Sequence, residues 1–383
     1  MKKGLPLAHL LARSFLVMSI GLLIFSAGFA GRGLLDHQTS DLGVLLQAKS
    51  ILEHNALKDI PQPPALEYGM IKGMVQAYND PYTVFVEPPQ HTLEINTLTG
   101  KFGGIGVRIE RDSEKYVRLY PVPGSPALAA GIQDGDRLLK VEDLNVDTTT
   151  DIAKIQAAMS GPVGKKANIV IGHAPDFAPV SLAIERTEIG IPSLTYNLVP
   201  EDPRVGIMHV SVIAATTPDE IKAAVKDLTA KGARYYILDL RNNGGGLVDG
   251  GVDTARLFLK DGIVIQEQYK GKAVQSYPVE KAGELSDIPL AVMVNGGTAS
   301  AAEIVAAALQ SHQRAKLVGT TTYGKDVIQL VFDLQDGSSL HVTAAKWWVQ
   351  GYPVPLKPDI QAADDANNPN LAVMVAVKGL VNP

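Results

Sequence analysis

The sequence contains no cysteine. That absence removes thiol nucleophiles, cysteine-ligated zinc and disulfides together. It leaves the compartment open, because cysteine usage alone does not fix where a chain is exported. An excess of positive charge is also missing. The formal net charge is −5, and no stripe of Lys and Arg stands out. Nucleic acid is held by clustered cations, so it is not an expected partner. No His-Glu-x-x-His or comparable metal-ligand spacing occurs, and neither a metal nor a cofactor is expected. There are no internal repeats and no low-complexity tracts.

What is present is a chain of 383 residues, 46% of them apolar, enough to bury real cores. It is too long for one ordinary domain and suggests about two or three. Lys2, Lys3 and Arg13 precede an apolar run from Phe15 to Ala30. A basic flank followed by an apolar stretch at the very N-terminus reads as an export signal over residues 1–30. Gly28 and Ala30 offer small residues for cleavage; the alternative is a retained membrane anchor. The expected location is therefore extracytoplasmic, in a periplasm or on the cell-envelope side of the membrane, with a plastid lumen as the alternative.

Residues 31–98 read as a helical N-terminal segment. Leu42 to Lys58 and Leu66 to Tyr78 have helical spacing, with Pro61, Pro63 and Pro64 between them and a stop at Asn79-Asp80-Pro81. Residues 99–187 change to short alternating strands plus a helix from Thr150 to Met159, a module of about ninety residues. Residues 188–366 alternate strand and helix: a strand Val205–Val212, a helix Thr217–Lys231, a strand Tyr235–Leu240, a glycine loop, a strand Leu290–Val294 and a helix from Ser300. That order predicts a mixed α/β layer. Residues 367–383 read as a polar, loosely held tail.

Chemistry concentrates in two stretches of the α/β part. In Val294-Asn295-Gly296-Gly297-Thr298-Ala299-Ser300-Ala301, a strand ends, small residues turn, and a helix begins at Ser300. Free backbone N–H groups and the helix dipole there favour developing negative charge, which suits a serine nucleophile. Ser300-x-x-Glu303 is equally a capping box of purely structural use. In Tyr323-Gly324-Lys325-Asp326-Val327-Ile328-Gln329, a lysine stands at the mouth of an apolar strand. Such a lysine is usually solvated. It acts as a base only when its amine is neutral, which asks for about 4 kcal/mol of destabilisation of the ammonium. Gln329 is placed to orient it.

With Ile237-Leu238-Asp239-Leu240-Arg241-Asn242-Asn243-Gly244-Gly245-Gly246, these stretches resemble the carboxyl-terminal processing (tail-specific) serine proteases, in matching order from Leu42 to Asp359. Asn79-Asp80-Pro81 and Lys357-Pro358-Asp359 match as well. The resemblance implies an α/β multi-domain chain. Its mixed α/β protease core is of the crotonase-like type, with an inserted β-rich PDZ domain and a helical N-terminal segment. It implies Ser300 as nucleophile, Lys325 as base and Gln329 as the residue that positions the lysine. The oxyanion hole would be the N–H groups of Ala301 and Gly245, with Gly244 or Gly246 as alternatives to the latter. Gly104, Ile105, Gly106 and Val107 resemble a PDZ carboxylate-binding loop, and Ile155 and Met159 would line the groove. The implied partners are proteins or peptides with free C-termini, and the N-terminal segment allows membrane association. The oligomeric state is left open.

Two departures stand out. Asp326 follows the lysine where the family has a small residue, and a carboxylate facing the amine would oppose its role as base. Trp347-Trp348-Val349-Gln350-Gly351-Tyr352 replaces a familiar turn. As rival bases, His209, His312 and His341 read as structural or surface residues, and Asp239 and Arg241 as braces of the glycine loop. The competing functions are a catalytically silent PDZ-type binding or scaffold protein, against which Ser300 and Lys325 argue, and an acyl-CoA enzyme, which would have no use for an export signal or a PDZ insertion.

Overall fold

The structure, a computed structural model, describes residues 42–363 and 370–381. The expected export segment 1–30 lies outside them. Among the described residues no helix is long and apolar enough to cross a membrane. The chain divides after Gly73. The first unit holds α1 (Gly43–Asn55) and the start of α2 (Ala65–Tyr78), as the apolar spacing predicts. In the second unit α2 stops where expected. Asn79 takes a left-handed conformation (φ 57°), which Asn tolerates better than most residues, and Pro81 follows.

β1 (Val84–Val86) and α3 (Pro88–Thr99) come next. Pro88 occupies the first turn of α3, where its missing N–H costs nothing, and left-handed Gly100 closes it. α3 leads into the β-rich module: β2 (Lys101–Gly104), β3 (Val107–Arg111), β4 (Val117–Pro121), α4 (Pro126–Ala129), β5 (Asp136–Val141), β6 (Leu144–Asn145), α5 (Ile152–Met159), β7 (Lys166–Gly172), β8 (Pro179–Glu185) and β9 (Thr187–Gly190). β3-β4-β5-β7-β8 form an antiparallel sheet with β6 on β5, and β2 pairs with β9 where the chain enters and leaves. Alternate residues point inward, so Leu119, Leu138, Ile169 and Ile171 bury against Ile155 of α5.

The α/β part runs β10 (Leu194–Val199), β11 (Asp202–Val210), α6 (Thr217–Ala230), β12 (Tyr235–Asp239), α7 (Val248–Arg256), β13 (Ile263–Tyr269), β14 (Gln275–Pro278), β15 (Leu290–Val294), α8 (Ala301–Ser311), β16 (Lys316–Gly319), β17 (Val327–Asp333), β18 (Ser339–Trp348), β19 (Ile360–Gln361) and α9 (Leu371–Val381). One sheet has the order β10-β11-β12-β15-β16-β19, parallel from β11 onward. Parallel strands are covered on both faces, which explains the unbroken apolar run of β15. A second sheet joins β1, β18, β13 and β14, with β17 against β18.

The C-terminal stretch corrects the expectation of a loose tail. Leu371 to Val381 is a helix that buries Ala372, Ala376 and Val377 beside Val205, Ile237, Met293 and Val318. Its sequence, LAVMVAVKGLV, is apolar enough to cover a sheet face.

Candidate active site

Two loops leave the carboxyl ends of the adjacent parallel strands β12 and β15 and meet there. Thr298 Oγ1 donates to Leu240 O at 2.8 Å, Asn295 Oδ1 accepts from Asn242 N at 2.9 Å, and Ala299 N donates to Asn243 O at 2.9 Å. Ser300 follows with φ 54° and ψ −122°, a backbone conformation that disfavours any side chain but glycine's. Only a surrounding structure that over-determines the turn holds a serine so, at the head of α8. Gly245 packs against it: a Cβ on that glycine would lie 2.8 Å from Ser300 Cβ and 3.1 Å from Ala301 N.

The buried carboxylate of Glu303 joins this turn to the lysine loop. It accepts Ser300 N at 3.0 Å, which is the capping-box contact the sequence suggests. It also accepts Thr322 Oγ1 at 2.6 Å, Gly324 N at 2.8 Å and Lys325 N at 2.9 Å. Trp347 holds the same loop from the other side: its indole Nε1 donates to Lys325 O at 3.1 Å, and its own N–H to Asp326 O. The residue that looked like a departure is therefore a buried anchor of the lysine loop.

The Lys325 side chain is half-buried. Desolvation pushes its amine below the ordinary lysine value, while the Asp80 and Glu94 carboxylates act in the opposite sense. Its Nζ donates to Gln329 Oε1 at 2.5 Å and lies 5.2 Å from the centre of the Tyr82 ring. The amide of Gln329 is oriented by the Tyr82 carbonyl, which can only accept and so takes Nε2, leaving Oε1 for the lysine. Asp326 turns away and pairs with Lys346 Nζ at 3.2 Å. No hydrogen bond joins Lys325 Nζ to Ser300 Oγ among the described residues. The N–H of Gly245 is also engaged, donating to Asn243 Oδ1 at 2.9 Å. Asp239 takes Arg241 Nε at 2.9 Å and lies 3.4 Å from His209 Nδ1. Burial raises the Asp239 carboxyl, but bonds from His209 and Arg241 outweigh it and leave the group below its usual value. Asp239 in turn raises His209.

This layout can be set beside known proteins. A model of peptidase family S41 matches residues 204–361, and a PDZ-domain model matches residues 117–171. The carboxy-terminal processing protease CtpA of Bacillus subtilis (strain 168) is 34% identical over 280 residues, 73% of this chain and 59% of that protein. A carboxyl-terminal-processing protease of Synechocystis sp. is 36% identical over 285 residues, 73% of this chain and 66% of its own length. One of Picosynechococcus sp. is 35% identical over 300 residues, 76% of this chain and 70% of its own. The chain belongs to peptidase family S41. It falls among the carboxyl-terminal processing proteases, and it spans 59% and 66% of the length of the first two relatives, less than two thirds of either. A solved photosystem II D1 C-terminal processing protease is 29% identical with a TM-score of 0.45, covering 82% of this chain and 86% of that one.

In the PDZ domain, β3 is an edge strand, with α5 alongside a cleft of about 330 Å³. Gly104, Ile105, Gly106 and Val107 all border it, as does Met159. Gly106 is required there: its φ is +72°, and a Cβ would meet Ser125 Cβ at 2.4 Å. Ile155 does not border the cleft. It is fully buried in the PDZ core, and Gln156, one residue and about 100° further round the helix, faces the groove instead. α3, which packs against α5, also borders the cleft through Leu93, Asn96 and Thr97.

Proposed function

We propose that this S41 chain is a serine endopeptidase that takes a protein's C-terminus in its PDZ groove and cleaves nearby peptide bonds through an acyl-enzyme. The supporting observation is the lysine's setting: a half-buried amine, pushed toward neutrality by desolvation, on a loop tied through Glu303 to the backbone of Ser300. Gln329 Oε1 accepts an N–H of this amine, so a neutral Lys325 keeps its lone pair for another donor. Ser300 Oγ attacks the scissile carbonyl, and Lys325 Nζ takes the hydroxyl proton. The oxyanion faces the N–H of Ala301 and a second N–H from the glycine loop. Lys325 then returns its proton to the departing amine, and water hydrolyses the ester.

The second oxyanion donor is the finer point. Because Gly245 N–H is given to Asn243 Oδ1, Gly244 or Gly246 supplies it in this arrangement, with Gly245 making room for the serine. Residues 1–30 act as an export signal or anchor, which puts the enzyme outside the cytoplasm. The test is labelling with a fluorophosphonate and cleavage of an unfolded protein. Label on Ser300, with both signals lost in Ser300→Ala and Lys325→Ala, supports the reading. Label elsewhere, or cleavage unaffected by either change, overturns it.

A further inference from the structure

His91 and Glu94 are three residues apart on α3 and so share a face. His341 on β18 lies opposite, in the register that pairs it with Val84 of β1. One ligand atom from each of the three lies within 4.8 Å of the others. Glu94 Oε2 is already 3.5 Å from His341 Nε2. The two histidines are buried, His91 5% and His341 6% exposed, with Ser339 between them fully buried, while Glu94 closes the cluster from its rim with a side chain 39% exposed.

The His91 ring is held as a metal site needs, whereas His341 has to give up the Nε2 hydrogen it shares with Ser339 Oγ. His91 Nε2 lies 2.8 Å from Asp333 Oδ1. An ionised carboxylate only accepts, so Nε2 carries hydrogen and Nδ1 of the neutral ring is bare. That bare nitrogen is 3.0 Å from Ser339 Oγ, which is 3.1 Å from His341 Nε2. A carboxylate behind a histidine, fixing its tautomer and its angle, is the arrangement that supports metal-bound imidazole.

We propose that His91, Glu94 and His341 hold one zinc ion. At Zn–N and Zn–O distances of about 2.0–2.2 Å, tetrahedral ligand atoms stand roughly 3.4 Å apart. Glu94 and His341 have that spacing, and the other pairs, within 4.8 Å, would have to draw together on binding. Two imidazoles and a carboxylate suit zinc; calcium and magnesium prefer oxygen alone. The fourth position falls to water or the Ser339 hydroxyl. His341 enters with Nε2 deprotonated and its hydrogen on Nδ1. The ion would fasten α3, which walls the PDZ groove, to β18, which pairs with the strand carrying Gln329. The proposal does not depend on the peptidase reading.

The rival is a hydrogen-bonded histidine pair that needs no metal. Untagged full chain, stripped with chelator, is titrated with Zn²⁺ by calorimetry and with Co²⁺ by visible absorption. One equivalent should bind, with d–d bands of a low-symmetry site and a higher Tm on adding zinc. His341→Ala and the near-isosteric Glu94→Gln should each weaken zinc at least tenfold and abolish the Tm response, and Asp333→Asn should weaken it by about 10–100-fold. Glu94→Gln changes no volume, so its circular dichroism should match wild type. Absence of stoichiometric binding to the wild-type chain overturns the site, and so does undiminished binding in Glu94→Gln and His341→Ala.

Discussion

Ser300 and Lys325 share one acceptor: Oε2 of Glu303 takes the backbone N–H of the first at 3.0 Å and of the second at 2.9 Å. Glu303 is buried and receives N–H or O–H groups only, so its two oxygens must both be acceptors. In Glu303→Gln an amide NH₂ faces donors, leaving buried polar groups unpaired at about 1–3 kcal/mol each. The expected result is a kcat lowered by about 100-fold with KM nearly unchanged, since a misplacement of about 1 Å can cost that much. Thermal denaturation should show a lower Tm. Wild-type kcat in this variant would show that the shared carboxylate positions nothing.

The pH dependence follows from the lysine. Its folded pKa lies below the ordinary value of about 10.4, so below the folded pKa the native state carries a constant penalty. As pH rises from the folded to the unfolded pKa, the unfolded chain binds more protons, stability rises, and the penalty disappears. Lys325→Met should therefore be inactive yet more stable than wild type at pH 7, with the gap narrowing as pH rises above the folded pKa and closed by about pH 10.4. For the wild type, kcat/KM should rise with pH through one apparent pKa. Asp80→Asn removes a charge that favours the ammonium and should move the profile to lower pH. Asp326→Ala should leave it in place, because that carboxylate is turned toward Lys346. A large shift with Asp326→Ala and none with Asp80→Asn would reverse the electrostatic assignment.

The glycine loop gives a paired test. Gly245 has φ +106°, and a methyl there would collide with Ser300 Cβ and Ala299 O. Gly244 has open space around its would-be Cβ and no positive φ. Gly245→Ala should lose cleavage by at least about 100-fold, because a displacement of the serine by about 1 Å costs that much, while Gly244→Ala keeps its N–H and stays within about threefold of wild type. Equal activities would mean that the close approach of loop and serine is unimportant.

The sequence made some of this legible and hid the rest for physical reasons. Ser300, Lys325 and Gln329 were readable because each sits in a local signal: strand, small-residue turn and helix in one case, Gly-Lys-x-x-x-Gln in the other. The capping-box spacing accounted for Glu303 with one bond, so nothing local pointed to its partners Thr322, Gly324 and Lys325 in a later loop. His91, Glu94 and His341 meet only because β18 lies beside β1 and α3, a pairing no spacing rule encodes. α3 itself, opening on two prolines, lacked the periodic apolar stripe that betrays α6. The C-terminal helix was masked by the polar stretch before it, although its own residues are apolar.

The PDZ groove separates a tail-specific enzyme from a general one. Ile155 fills the PDZ core, so Ile155→Ala should cost about 2–5 kcal/mol of domain stability. Gln156 faces the cleft, and Gln156→Ala should change peptide preference without altering the Tm. The N–H groups around Gly104 to Val107 are proposed to hold a terminal carboxylate, a charge-assisted contact worth about 1.5–3 kcal/mol. Amidating a peptide's C-terminus should then lower kcat/KM by about tenfold to a hundredfold. A short activated ester, which does not reach the groove, should be cleaved equally well by the wild type and by Gly106→Val, whereas the long free-acid peptide should lose its advantage over the amide in that variant. The measurement is kcat/KM for matched acid and amide peptides long enough to span groove and Ser300. Equal values in the wild type would mean that the domain does not read the C-terminus, and selection would then rest on the sequence around the scissile bond.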